Sequence, residues 1–292
     1  MLAQSETSAV ESDLAPLPLM GARTEPRTLV QLNPDHPGFR DPEYRARRNA
    51  IAQIAVEYQT GQPIPDAPYT SEEDELWGVI MTALAPVHSK FACAEYLQAF
   101  ETIELPVDRI PQLREVTERV QALSGFRLEP VAGLVEASVF LRSLSDGVFL
   151  STQYIRHYSA PLYTPEPDVV HEIIGHAVTL ANPRLAELNR LFGEVVSRAT
   201  SVEEIERIGK FYWYTVEFGA VRENGRPKAV GSGLVSSAGE VGAMESAEIR
   251  PFDLNAVLAQ NIDPTNFQPV LFCFDSFDSM YSELRKHLLD WC

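Results

Sequence analysis

Apolar positions recur at helical spacing through most of the first 125 residues of this 292-residue chain, and chemically explicit stops separate the runs. Asp41-Pro42 pairs a capping residue with a proline suited to a first helical turn. Ile51, Ile54, Ala55 and Tyr58 then form one stripe, which Gly61 stops. Thr70-Ser71-Glu72-Glu73 has capping-box form and leads into Leu76, Trp77, Ile80 and Leu84, which predicts a buried helix. Further helices are expected over residues 87–100 and 111–123, the second carrying Leu113, Val116, Val120 and Leu123 before Gly125.

The pattern then shortens. Residues 126–131 and 148–155 are brief, β-branched or aromatic, and bounded by breakers, so they are the best strand candidates. A short helix carrying Phe140 is expected between them, over 136–145. Helices follow over 183–198, over 201–216 with Ser201 and Glu204 as a capping box, near 252–260, and over 276–289. The run from Ala229 to Ser237 is small, glycine-rich and apolar, which suits a strand or loop packed closely against another element. It is no phosphate loop, since the lysine is missing and the glycines lack the dinucleotide spacing. The fold class expected is mainly α (α+β), one domain of many helices and few short strands over residues 33–292, behind a disordered arm over 1–32.

Composition narrows the choice of partners. No apolar run approaches the roughly 20 residues that span a bilayer, so no transmembrane segment is expected. A net charge of −17 repels phosphate backbones and argues against nucleic acid. Arg45, Arg47 and Arg48 are the one dense basic group, read as a solvated helix face pairing with local acids. Cys93, Cys273 and Cys292 are too few for a disulfide framework and fit a reducing cytoplasm. The N-terminus lacks the pattern of a signal peptide.

Chemistry is concentrated in the thirteen residues from Thr164 to His176, which hold two of the six histidines, three carboxylates and two prolines. Two imidazoles and one carboxylate make a face that holds iron(II) and leaves other positions open. His171 and His176 stand five apart, not the four of the zinc-protease helix. On an ideal helix five steps turn the second ring about 140° from the first. Convergence therefore needs a helix end or a local distortion, which Gly175 would permit. Glu217 offers a third ligand, because a carboxylate inside the aromatic run Phe211 to Phe218 is costly unless paired or bound to a cation.

At this point a family resemblance enters. The motifs His36-Pro37-Gly38-Phe39-Arg40-Asp41-Pro42, Gly125-Phe126-Arg127-Leu128, Pro130-Val131-Ala132-Gly133-Leu134, Gln153-Tyr154-Ile155-Arg156-His157, the Thr164 to His176 stretch and Thr215-Val216-Glu217-Phe218-Gly219 resemble those of the pterin-dependent aromatic amino acid hydroxylases. The similarity runs from about residue 33 to about residue 284 and is nearest to phenylalanine hydroxylase catalytic domains.

The resemblance implies a mononuclear iron monooxygenase using Fe(2+), tetrahydrobiopterin and dioxygen as co-substrate, with His171, His176 and Glu217 at the iron-ligand positions. Phe140 would stack on the pterin, with Val135, Glu172 and Tyr212 at the other pterin positions. The ordinary alternatives are core packing for Phe140 and Val135 and a solvated helix acid for Glu172. Arg156 matches the residue that grips an amino acid carboxylate, a task suited to a guanidinium fork. Asp168 would orient it, with a structural salt bridge as the alternative for the pair. Thr164 would lie near the substrate backbone, and Pro167, Trp213 and Phe218 would wall the ring. Ser236 matches the partner of the first iron histidine.

The implied reaction is ring hydroxylation of free L-phenylalanine. Trp213 favours phenylalanine or tyrosine over tryptophan, while Leu150 and Ile262-Asp263-Pro264 depart from the animal phenylalanine enzymes and leave para and meta products both open. L-Tryptophan or L-tyrosine hydroxylation, a non-catalytic aromatic amino acid binder and a zinc hydrolase are the competing readings, the last opposed by the histidine spacing. The chain matches neither the family's regulatory domain nor its tetramerisation helix, so a cytoplasmic monomer is expected, with a small aromatic amino acid as partner and neither membrane nor nucleic acid.

Overall fold

The structure is a computed structural model and describes residues 29–264 and 266–291. Most of the expected 1–32 arm lies outside the described residues; at its end, the Val30 N–H donates to the Asn49 side chain at 3.0 Å.

Four helices open the described chain: α1 (Pro42–Glu57), α2 (Ser71–Phe91), α3 (Ala94–Ile103) and α4 (Leu113–Ser124). Three of their caps are ones the sequence names, whereas α1 ends at Tyr58, short of Gly61, and Cys93 caps α3. Asp41 accepts from the Glu43 and Tyr44 N–H groups, Thr70 and Glu73 close a reciprocal capping box, and Gly125 ends α4 in the left-handed region. Trp77, Ile80 and Leu84 are buried, as their spacing requires, whereas Leu123 is exposed. The helix expected over 87–100 is divided. α2 continues through Pro86, which is exposed, so water can serve the carbonyl that the proline leaves unpaired. The break falls at Ala92–Cys93, where the Cys93 N–H bonds to the Ala229 carbonyl.

The expected strands are β1 (Arg127–Pro130) and β2 (Val148–Ser151), paired in parallel, with α5 (Ala137–Ser143) between them. A π turn (His171–Ala177) runs into the single turn α6 (Val178–Leu180). α7 (Pro183–Arg198), capped by Asn182, packs against α4 and α5 in the core. The helix expected over 201–216 is α only as α8 (Val202–Tyr212) and continues as a second π turn (Trp213–Glu217).

A second sheet was not marked by periodicity. It consists of β3 (Ala220–Glu223), β4 (Arg226–Ala229), β5 (Glu248–Pro251) and β6 (Val270–Phe274), in the order β4-β3-β6-β5. The glycine-rich run is not a strand past Ala229: it forms the short helix α9 (Ser232–Val235), followed by α10 (Ala238–Ala243). α11 (Leu254–Ala259) and α12 (Phe277–Leu289) complete the described elements. In the basic group of α1, Arg45 is exposed as expected and pairing with acids holds for the other two, but Arg48 is buried rather than solvated. Arg47 pairs with Glu73 at 2.7 Å, and Arg48 is buried against Glu166 at 3.0 Å. No helix among the described residues is long and apolar enough to cross a membrane.

Candidate active site

The π turns deliver the three candidate ligands. A π turn bonds i to i+5, so residues five apart share a face, which the α register forbids for His171 and His176. Their Nε2 atoms stand 3.1 Å apart. Glu217, last residue of the second π turn, reaches His171 Nε2 at 3.3 Å and His176 Nε2 at 3.1 Å.

α9 is the wedge between the two turns. A Cβ on Gly175 would meet the Ser232 carbonyl oxygen at 2.7 Å, and a Cβ on Gly233 would come within 2.9 Å of Glu217 Oε1. The close packing expected of the glycine-rich run is therefore packing against the ligand set itself. Just after α9, the Ser236 hydroxyl lies 3.0 Å from His171 Nδ1 and donates to the Gly233 carbonyl at 3.5 Å. As the acceptor of an Nδ1–H bond, Ser236 would leave Nε2 bare for a metal.

The electrostatics suit a cation. Burial pushes the His171 imidazole down to about 4, so its neutral, ligand-competent form prevails. Burial opposes ionisation of Glu217, but the two histidines outweigh it and hold the carboxyl below its usual range. Two imidazole Nε2 atoms and a carboxylate thus converge on one point. Two imidazole nitrogens and one carboxylate make a donor set that suits iron(II) and leaves other positions open. A second cluster, Cys93, Glu95 and Glu223, gathers at the positive end of α3, where Glu223 accepts from the Ala94 N–H and the helix dipole opposes a cation.

The ligands open onto a cavity of about 680 Å³. Val135, Phe140, Glu172 and Tyr212 line it, as do Leu150, Pro167, Trp213 and Ile262. Arg156, Thr164, Asp168, Phe218 and Ser236 are not among the residues that line it. Arg156 Nε and Nη2 donate to Asp168 at 2.9 and 2.7 Å, and the Asp168 carboxylate also accepts the Arg156 and His171 N–H groups. Burial opposes that charge, yet Arg156 wins and holds the Asp168 carboxyl below its usual range. Thr164 closes a turn by donating to the Glu166 carbonyl at 2.6 Å. Phe218 packs on Trp213 with ring centroids 4.7 Å apart.

Glu172 is not a solvated acid. It is buried, bonded by the Thr152 N–H and hydroxyl at 3.2 and 3.1 Å, and burial pushes its carboxyl up to about 7. Three contributors carried no sequence signal of their own: Phe149, whose ring lies 4.5 Å from His176; Thr152, beneath Glu172; and Gln268, which accepts from the Trp213 indole at 3.1 Å.

Residues 26–290 match the family described as biopterin-dependent aromatic amino acid hydroxylase. The chain belongs to that family. It is 44% identical over 264 residues to tyrosine 3-monooxygenase of Schistosoma mansoni, which covers 88% of this chain and 57% of that protein. Human phenylalanine-4-hydroxylase is 41% identical over 263 residues, covering 88% and 58%. The chain therefore spans little more than half the length of these two curated relatives. Among solved structures, Chromobacterium violaceum phenylalanine hydroxylase with bound iron(III) and 7,8-dihydrobiopterin matches with a TM-score of 0.72 and 27% identity, over 82% of this chain and 92% of that one. The family's biopterin dependence accords with a convergent metal-type donor set that opens directly onto a largely apolar cavity.

Proposed function

We propose that residues 33–292 form an iron- and tetrahydropterin-dependent monooxygenase that hydroxylates the ring of free L-phenylalanine. The observation that carries this reading is the facial set of His171, His176 and Glu217 on the wall of a cavity shared with Trp213 and Pro167. Bound iron and a tetrahydropterin supply the two-electron activation of dioxygen. The chain's own residues do the rest. Ser236 fixes the His171 tautomer so that Nε2 faces the metal. Phe140, Val135 and Tyr212 give a flat pterin ring an apolar bed, and Glu172, with its carboxyl near 7, can give or take a hydrogen bond at the pterin edge. Asp168 occupies Arg156 Nε and Nη2 and leaves Nη1 for the substrate carboxylate. The ring side, Pro167, Trp213, Leu150 and Ile262, excludes water from the reacting carbon.

A second reading, L-tyrosine hydroxylation, is favoured by the 44% identity to a tyrosine 3-monooxygenase. The apolar ring wall offers a phenolic hydroxyl little to bond, which favours phenylalanine, though such a wall rejects an added hydroxyl by only about a hundredfold. Iron-loaded protein given phenylalanine, a tetrahydropterin and oxygen should form a tyrosine isomer, resolved by chromatography against the ortho, meta and para standards. Turnover of tyrosine or tryptophan without product from phenylalanine overturns the substrate assignment. Full iron retention and activity in His171→Ala overturns the metal assignment.

A further inference from the structure

A π turn strands a carbonyl, and a buried carbonyl needs a donor. In His171–Ala177 the Val178 N–H, which an α-helix would bring to Ile174, bonds instead to the Ile173 and Gly175 carbonyls. The bypassed Ile174 carbonyl lies between the two histidines in sequence and is buried with its residue. The donor arrives from α3: the Tyr96 hydroxyl reaches Ile174 O at 2.9 Å, across 78 positions of chain. Tyr96 is itself fully buried, its ring edge-on to His88 with centroids 5.2 Å apart and 6.1 Å from Phe100. His88 in turn contacts the Val235 carbonyl at 2.6 Å, one residue before the Ser236 that holds His171.

We infer that Tyr96 is a positioning residue for the metal centre: its hydroxyl takes up the stranded Ile174 carbonyl, fixes the π register and so presets His171 and His176 on one face before a metal arrives. The inference rests on the metal reading proposed above. An α register would satisfy Ile174 from Val178 and turn the two rings about 140° apart. Removing only the hydroxyl removes the bond that favours the π register over that alternative.

Cobalt(II) titration of the metal-free protein, followed in the visible spectrum, tests this without recourse to turnover. The unsubstituted protein should bind one equivalent, and Tyr96→Phe should bind at least tenfold more weakly, the loss typical of a missing partner behind a ligand. A tyrosine that only filled space would lower thermal stability without moving the affinity. Equal affinity within twofold therefore overturns the inference and leaves the metal reading standing, whereas failure of the unsubstituted protein to bind overturns both.

Discussion

At the scale of single residues, the side chain that holds the ring wall is one that no pattern marks. The Gln268 N–H donates to Glu240 at 2.7 Å, its side-chain oxygen accepts from Trp213 at 3.1 Å, and its amide nitrogen donates to the Asp263 carbonyl at 2.8 Å. The partners lie 28, 55 and 5 positions away, and a lone glutamine or glutamate in an ordinary context carries no periodicity. The metal set was legible for the opposite reason. Two histidines packed into thirteen residues, and a glutamate in an aromatic run, are anomalies of local composition. Glu240 yields a pH prediction. Burial pushes its carboxyl from 4.5 up to about 7, so between those values the folded protein holds a proton that the unfolded chain has released. Its contribution to stability is complete below about 4.5 and is lost as pH rises through about 7. Glu240→Gln retains an acceptor for the Gln268 N–H and removes the titration. Thermal midpoints measured from pH 5 to 8 should therefore fall less steeply in the variant; parallel curves for the two proteins refute the assignment.

Among the elements, the helices were readable because caps and stripes are local, and the π turns were not because register is decided by what packs against a helix. The five-residue spacing of His171 and His176 did demand a helix end or a local distortion, which Gly175 would permit. Gly175 has no left-handed backbone, however, and serves by letting the Ser232 carbonyl approach. The second sheet escaped for a related reason. Asn224-Gly225 is a hairpin signal with both residues left-handed, but Arg222, Glu223, Arg226 and Lys228 hide the alternation of its strands. Gly175→Ala tests the wedge. A Cβ 2.7 Å from the Ser232 oxygen must push α9 away, at about 1–3 kcal/mol for an overpacked core. Ser236 should move with α9, so cobalt affinity should fall along with the denaturation midpoint. A variant with unaltered midpoint and affinity would show that α9 yields without cost.

For the molecule as a whole, the ligand set ties together segments that nothing covalent joins nearby. His171 and His176 precede α7 and α8, Glu217 follows them, and α9 is clamped between. The two imidazoles and the Glu217 carboxylate come from both π turns, so a cation held among them ties the turns together and its binding is also folding energy. A metal at a hundred times its dissociation constant stabilises the native state by about 2.7 kcal/mol. In a chain of roughly this size each kcal/mol moves the melting temperature by about 2–4 °C. Stripping the iron-loaded protein with a chelator should therefore lower its melting temperature by about 5–10 °C. His171→Ala should melt at one temperature whether chelator is present or not, because it has lost the site through which the metal acts. If chelation removes the metal and leaves the melting temperature of the unsubstituted protein in place, the bound ion does not bridge the two π turns, and the three side chains converge for some reason other than holding it.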